Sequence, residues 1–570
     1  MRGDRTLAPP RLPPVATSGA SEAPSSPCWS GMGVHVQGAC LPWAGSGYST
    51  SAATEWPQMG MEQRAEVVVV VDPYGSGRFI VDELLARGWP LVAVRTSPEA
   101  PEHLSSTWDP SLFERSIVHG GDVLGTARSL REGLKRPVAV VAGSERGAEL
   151  ADALAEVLSL RGNGTALSRC RQDKYFMQER LRECGLRASA QRRCRSVQEA
   201  MMSAAEFGRP VVVKPCASSG TDCVSKCKSV EAVGDAAAGI LGGRNVHGQR
   251  NDAVIIQEFL RGSEYIVDCV SLDGQHVVTS IWALQKTGSS SEFAYDRKHP
   301  VPFSSEEGSV QRIVCEYAYQ ALTALGVQTG ASHSKVIYDE NLGPCLVKMC
   351  PWIHGSVAPA VFAACAGREN AQAFLLADAL TEGGLYLSWK AEAVGMGSPA
   401  YELSSFSVIL DLQCHEDGIL ARSVEEVAGE WIRNLSSFWM MKCDLEPGDR
   451  LQRSRDFFTS PGYIVLSGPD PSIVEQEAAM IREAERTGQM YIFSTSTSSK
   501  TPTPPACSDD EGTWGKCGLF LRVPCDPSPR MRALEAQVAG LLGSPTGGPN
   551  ASPELLPKAC AEFVLDGVLE

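Results

Sequence analysis

Arg209-Pro210-Val211-Val212-Val213-Lys214-Pro215-Cys216-Ala217-Ser218-Ser219-Gly220-Thr221 is the stretch on which the reading of this chain turns. Three β-branched residues in succession read as a buried strand, and the small polar residues behind them read as a turn. A lysine at the end of such a strand sets a fixed cation beside exposed backbone N–H groups, the combination that a polyphosphate needs. Standing alone, the segment would serve equally as a surface lysine before an ordinary turn.

It has two companions. Upstream, Asp173-Lys174-Tyr175 opens a helical pattern running through Met177 and Leu181 to Gly185. Downstream lies Val254-Ile255-Ile256-Gln257-Glu258-Phe259-Leu260-Arg261-Gly262-Ser263-Glu264-Tyr265. This reads as a strand whose final residues can meet a purine edge through the main chain. Glu264 follows a glycine turn, where it could accept hydrogen bonds from ribose hydroxyls. Further strands are expected over Tyr265 to Ser271, and a capped amphipathic helix over Ser229 to Leu241.

With these motifs in hand, the chain resembles the ATP-grasp superfamily, in particular the carboxylate-amine ligases similar to bacterial L-amino acid ligases. The likeness takes in the Val71-Asp72-Pro73-Tyr74-Gly75-Ser76-Gly77-Arg78 turn, the three stretches above, and the C-terminal Glu446-Pro447-Gly448-Asp449 and Ser460-Pro461-Gly462-Tyr463 segments. The resemblance implies an α/β and α+β multidomain ATP-grasp fold, with an N-terminal open α/β domain and a C-terminal α+β lobe. It implies that Lys174 and Lys214 contact ATP phosphates and that Ser218, Ser219 and Gly220 lie in the loop covering them. Gln257, Glu258, Phe259 and Leu260 would line the adenine, and Glu264 would hold the ribose. The implied reaction is C–N bond formation: ATP phosphorylates a carboxylate, and an amine then displaces phosphate. ATP, an amino acid or other small carboxylate, and an amine are the expected partners, and magnesium is the expected cofactor of the family.

The magnesium part of the pattern breaks. Where the resemblance places metal ligands, after Gly330-Ala331-Ser332-His333-Ser334 and in Leu346 to Trp352, the chain has Lys335, Lys348 and Cys350, with Trp352 beyond. Magnesium takes hard oxygen donors in a near-octahedral shell, which ammonium and thiol do not supply. Two readings stand. The lysines themselves attract the triphosphate, since opposite unit charges ~4 Å apart at an effective dielectric of ~20 gain about 4 kcal/mol before desolvation. Alternatively, Asp339 or Glu340 binds the metal after a local change of register. The substitutions also keep open a non-catalytic, nucleotide-binding regulatory module. Arg297 and Lys298 are expected in a loop that could meet a substrate carboxylate. Cys350 has no identifiable base, and His354 reads as a structural histidine. No metal ligand and no catalytic residue is assigned.

Elsewhere the sequence is organised in modules. A chain of 570 residues exceeds the ~250–300 that one core supports. Residues 1–62 are rich in Pro, Ser and Gly and are expected to be disordered, and Arg2, Arg5 and Arg11 leave an organelle transit peptide open. An N-terminal α/β domain is expected over 63–168, beginning with Val67 to Val71; its Gly75/Gly77 turn could bind phosphate or be a plain tight turn. The ATP-grasp domain follows over 169–390, a C-terminal lobe over 400–495, and a linker and tail over 496–570. With 43% hydrophobic and 21% charged residues and a net charge of −15, the composition is that of a globular protein without basic excess, so nucleic acid is not expected as a partner. No apolar run approaches a membrane span. Nineteen scattered cysteines suggest reduced thiols and a cytoplasmic setting, and Cys223/Cys227 lacks the second pair that a zinc site would want.

Overall fold

A computed structural model of the chain describes residues 64–494, apart from 134, 209, 219, 247, 288–292, 305, 385, 388–400 and 458. The expected disordered segment 1–62 and the tail 496–570 lie outside the described residues, as does Ser219.

The five valines form the centre of a four-stranded parallel sheet: β1 (Glu66–Val71), β2 (Leu91–Arg95), β3 (Arg115–Val118) and β4 (Arg136–Ala142), in the order β3-β2-β1-β4. Successive side chains of a strand point to opposite faces, so one valine run feeds two cores. Val68 and Val70 pack with Ile80 and Leu84 of the helix Gly77–Ala86. Val67, Val69 and Val71 pack with Leu150 and Leu154 of the helix Ala148–Leu158. Each such buried valine contributes roughly 1.5–3 kcal/mol. The Gly75/Gly77 turn has a packing explanation: a Cβ on Gly77 would stand 2.1 Å from the Gly143 carbonyl oxygen, so the missing side chain lets two turns touch.

A second, antiparallel sheet contains β5 (Gln191–Cys194), β6 (Val211–Pro215), β7 (Ser225–Cys227) and β8 (Val254–Glu258), ordered β5-β8-β6-β7. The helices Val197–Phe207 and Val230–Ile240 cover one face, where Val211, Val213, Val254 and Ile256 are buried. Ser229 caps the second helix by accepting from the Ala232 N–H at 3.2 Å. Alternation therefore sends Lys214 and Gln257 to the uncovered face.

The largest sheet has eight strands. They are β9 (Ser263–Leu272), β10 (Gln275–Lys286), β11 (Tyr295–Pro300), β12 (Gly330–Asp339), β13 (Gly343–Cys350), β14 (Phe406–Asp411), β16 (Phe438–Lys442) and β18 (Tyr463–Gly468), while β15 (Gly418–Ile419) and β17 (Arg450–Leu451) pair separately. The order is β13-β12-β9-β10-β11-β14-β18-β16. On one face Val267 and Cys269 pack against the helix Val310–Ala324. Glu264, Ile266 and Asp268 therefore take the other face. The turn into β9 requires Gly262: its φ is +124°, and a Cβ there would lie 2.0 Å from the Tyr338 carbonyl oxygen.

The strands β14, β16 and β18 continue the large sheet through the β11–β14 pairing of Arg297 with Leu410 and Lys298 with Ile409. One expectation changes. Arg297 and Lys298 are accordingly in a strand, not a loop. The run Tyr295-Asp296-Arg297-Lys298-His299-Pro300 is polar because β11 lies where ion pairs to the last helix Pro471–Arg486 satisfy it: Arg297 bonds Asp296 at 2.8 Å and Glu475 at 2.5 Å. Among the described residues no helix is long and apolar enough to cross a membrane.

Candidate functional site

The uncovered face of the smaller sheet and the Glu264 face of the larger one carry a group of lysines, of which Lys174 and Lys214 are buried and Lys335 and Lys348 half-buried. Lys214, at the end of β6, is 4% exposed and donates to Gln257 Oε1 at 2.6 Å. The Gln257 amide in turn donates to Ser189, which fixes its orientation. Lys174 begins the helix Lys174–Glu183, whose first turn is capped by the Asp173 carboxylate through the Tyr175 and Phe176 N–H groups. The Lys174 backbone N–H bonds the Cys216 carbonyl at 2.9 Å, and its ammonium reaches the Ser218 carbonyl at 2.6 Å. Helix start and strand end are thus tied to one loop.

That loop turns sharply, with left-handed backbone at Gly220, Thr221 and Cys223. Ser218 Oγ donates to Asp222 at 2.6 Å. Lys348 of β13 also reaches the Ser218 carbonyl, at 3.2 Å, and forms an ion pair with Glu145 of the N-terminal domain. Two ammonium groups therefore converge on a single carbonyl oxygen. Burial first, then the charges of Lys348 and Lys214, lowers the Lys174 pKa to about 7. Burial also lowers that of Lys214 to about 8.

Lys335 stands directly opposite Lys348 across the β12–β13 ladder, so both project from the same face. Lys335 is 3.1 Å from Glu264 Oε1 and donates to the Tyr295 hydroxyl at 2.5 Å. Glu264 also holds Lys286 at 2.7 Å and accepts from Tyr295 at 2.8 Å. Despite burial, which works the other way, these cations bring its pKa down to about 2. A carboxylate has about four acceptor positions, so three partners leave room for one more donor. At the far edge, Ala190 N–H donates to Glu258 at 2.8 Å and the Lys226 ammonium lies 3.8 Å from the Phe259 ring centroid. Leu260 is half-buried just beyond β8. Arg297 is the one sequence-selected cation turned away from this face, while Lys298 pairs with Asp411 at 3.8 Å.

Magnesium does not fit the positions the resemblance assigned to it. Lys335 and Lys348 are cations, and burial pushes the Cys350 thiol up to about 11, so it is neutral at ordinary pH. With no thiolate beside it, Lys348 has the Glu145 carboxylate as its anionic partner. The two acids nearest these lysines, Glu264 and Glu145, are already neutralised by them. Asp339 accepts from the Asn341 and Leu342 N–H groups to close the β12–β13 turn, and Glu340 is exposed in that turn.

Sequence reasoning missed four participants: Glu145, Lys286, Tyr295 and the Asp268 cluster. Asp268 is two positions beyond Ile266 on the same face. It meets His333 Nδ1 at 3.1 Å, His354 Nδ1 at 2.9 Å and Ser280 Oγ at 2.5 Å. A carboxylate can only accept, so both Nδ1 atoms carry hydrogens. The period-two spacing Glu264-Ile266-Asp268 was a usable signal for Asp268; the other three depend on contacts between distant segments.

Residues 172–286 match the family described as phosphoribosylglycinamide synthetase, ATP-grasp (A) domain. Among characterised proteins, the dapdiamide A synthase of Enterobacter agglomerans is 26% identical over 447 residues, which is 75% of this chain and 97% of that one. Among solved structures, an L-amino acid ligase from Bacillus licheniformis superposes with a TM-score of 0.56 at 16% identity, covering 76% of this chain and 100% of that chain. An ADP complex of N5-carboxyaminoimidazole ribonucleotide synthetase gives a TM-score of 0.52 at 12% identity, covering 75% and 98%.

Proposed function

We propose that this chain, an ATP-grasp protein similar to the carboxylate-amine ligases, binds ATP between its two antiparallel sheets and uses it to join a carboxylate, of amino-acid type, to an amine. The observation that carries this reading is the convergence of Lys174, Lys214 and Lys348 around the Ser218 loop. Desolvating an ammonium is costly unless an anion meets it, and a triphosphate is such an anion. In this reading the Ser218, Ser219 and Gly220 loop closes over the phosphates. The Gln257 to Leu260 main chain meets the adenine, and the remaining acceptor position of Glu264 takes a ribose hydroxyl.

The chemistry asks little covalent work of the protein. A substrate carboxylate oxygen attacks the γ-phosphorus and ADP departs. The amine nitrogen then attacks the acyl carbon, the bond to phosphate breaks, and the amine proton leaves to solvent. The chain supplies alignment and positive charge. The test is ADP formation by the full chain with ATP and a panel of amino acids. Stimulation by one carboxylate and one amine together, with amide product found by mass spectrometry, is the expected result. ATP binding without any such turnover would favour the second reading, a nucleotide-binding module without catalysis, for which the lysines in the metal positions speak.

The pH dependence of binding has a fixed sign. A bound triphosphate favours the charged ammonium, whereas free Lys174 and Lys214 lose protons near about 7 and about 8. Lys348, Glu145, Cys350, Cys345 and Cys216 are the other titratable groups felt at these two sites. Binding therefore takes up protons on the alkaline side, and from about pH 7.5 to about pH 9 ATP affinity should fall roughly tenfold or more. Calorimetry in buffers of different ionisation enthalpy should register the uptake. Affinity that is flat across that range would count against both lysines as phosphate ligands.

A further inference from the structure

Among the described residues, the lysines on this face outnumber the acids seen bonded to them. Lys174, Lys214, Lys286, Lys335 and Lys348 gather there, and the carboxylates in direct contact with them are Glu145 and Glu264. Lys335 and Lys348 are in register on adjacent strands, and each is held forward by one of those acids. A divalent cation arriving with a nucleotide would enter a field that is already positive, and it would compete with these ammonium groups for the same phosphate oxygens. A triphosphate without its metal brings more negative charge to the same cations.

We propose that the cleft takes a nucleoside triphosphate as the free, metal-uncomplexed polyanion, with the Lys335 and Lys348 ammonium groups standing where divalent cations would otherwise screen the phosphates. This rests on the nucleotide reading of the cleft and adds to it the ionic form of the ligand. Unlike a metal, a lysine binds phosphate as a point charge on a flexible stem, so the face favours charge neutralisation over a fixed coordination geometry. Occupancy would then follow the concentration of free rather than magnesium-bound nucleotide, and a rise in magnesium would empty the site.

The experiment is calorimetric titration of the full chain with ATP in two buffers of equal ionic strength, one containing EDTA and the other an excess of magnesium chloride. Binding should be on the order of tenfold tighter in EDTA. Lys335→Gln and Lys348→Gln, made separately and checked by melting temperature so that misfolding of one leaves the other informative, should each weaken the EDTA arm severalfold. They should also narrow the gap between the arms. Affinity equal or tighter in magnesium overturns the proposal while leaving the nucleotide reading intact. So does a pair of folded variants that bind ATP in EDTA like the parent. Absence of ATP binding in both buffers overturns the nucleotide reading itself, and the proposal with it.

Discussion

Replacing Lys214 by methionine is expected to weaken ATP binding by roughly ten- to a hundredfold, the 1.5–3 kcal/mol of a charge-assisted hydrogen bond. Lys214 is buried at the end of β6 and its ammonium is held at 2.6 Å by Gln257 Oε1. Gln257 is itself oriented by Ser189, so the cation is positioned before any ligand arrives. Methionine keeps the apolar stem and its packing, which separates loss of charge from loss of volume. The Gln257 oxygen loses a partner, but the face also loses a desolvated cation, and the two effects oppose each other in stability. The expected pattern is a large change in dissociation constant with a small change in melting temperature. A Lys214→Met variant that melts like the parent and binds ATP as tightly would remove the phosphate site from this strand.

The second large effect is one of stability. Asp268 is 1% exposed and joins His333, His354 and Ser280, and the Trp282 indole N–H adds a bond to Ser280 Oγ at 3.1 Å. Asp268→Ala would leave the N–H groups of buried His354 and half-buried His333 without their acceptor. Removing one partner from a buried charged network costs about 3–5 kcal/mol, a shift of several degrees in the melting temperature of a core this large. Burial works to raise the Asp268 pKa, yet His354 and His333 hold it well below the ordinary value of 3.8. A depressed carboxylate pKa contributes stability that is present above its unfolded value and lost as pH falls toward the folded one. The parent should therefore lose stability below about pH 4, and Asp268→Ala should flatten that limb. Urea unfolding at several pH values measures both. An unchanged midpoint at neutral pH would show that the cluster is dispensable.

Much of the candidate site could be read from local chemistry. Lys214 follows three valines whose period assigns it a face, and Asp173-Lys174-Tyr175 opens a helix. Ser229 marks a helix start that the fold retains. These are short-range properties, set by side-chain alternation and by the unsatisfied N–H groups of a first turn. Gln257 was legible as the end of a strand, though its bond to Lys214 was not. Arg297 and Lys298 misled because a polar run in one sequence cannot be distinguished from a loop when its partners come from β14 and the helix Pro471–Arg486, far along the chain.

The sequence by itself determined the strand that Lys214 ends and the absence of oxygen donors at Lys335, Lys348 and Cys350, because residue type and a β-branched run are local facts. Tertiary structure alone decided that Lys335 and Lys348 face each other in register, that Glu145 crosses from the N-terminal domain to meet Lys348, and that Glu264 is shared by Lys335, Lys286 and Tyr295. The reason is physical: an ammonium group and a carboxylate interact through distance and burial, and neither is fixed until strands remote in sequence have paired.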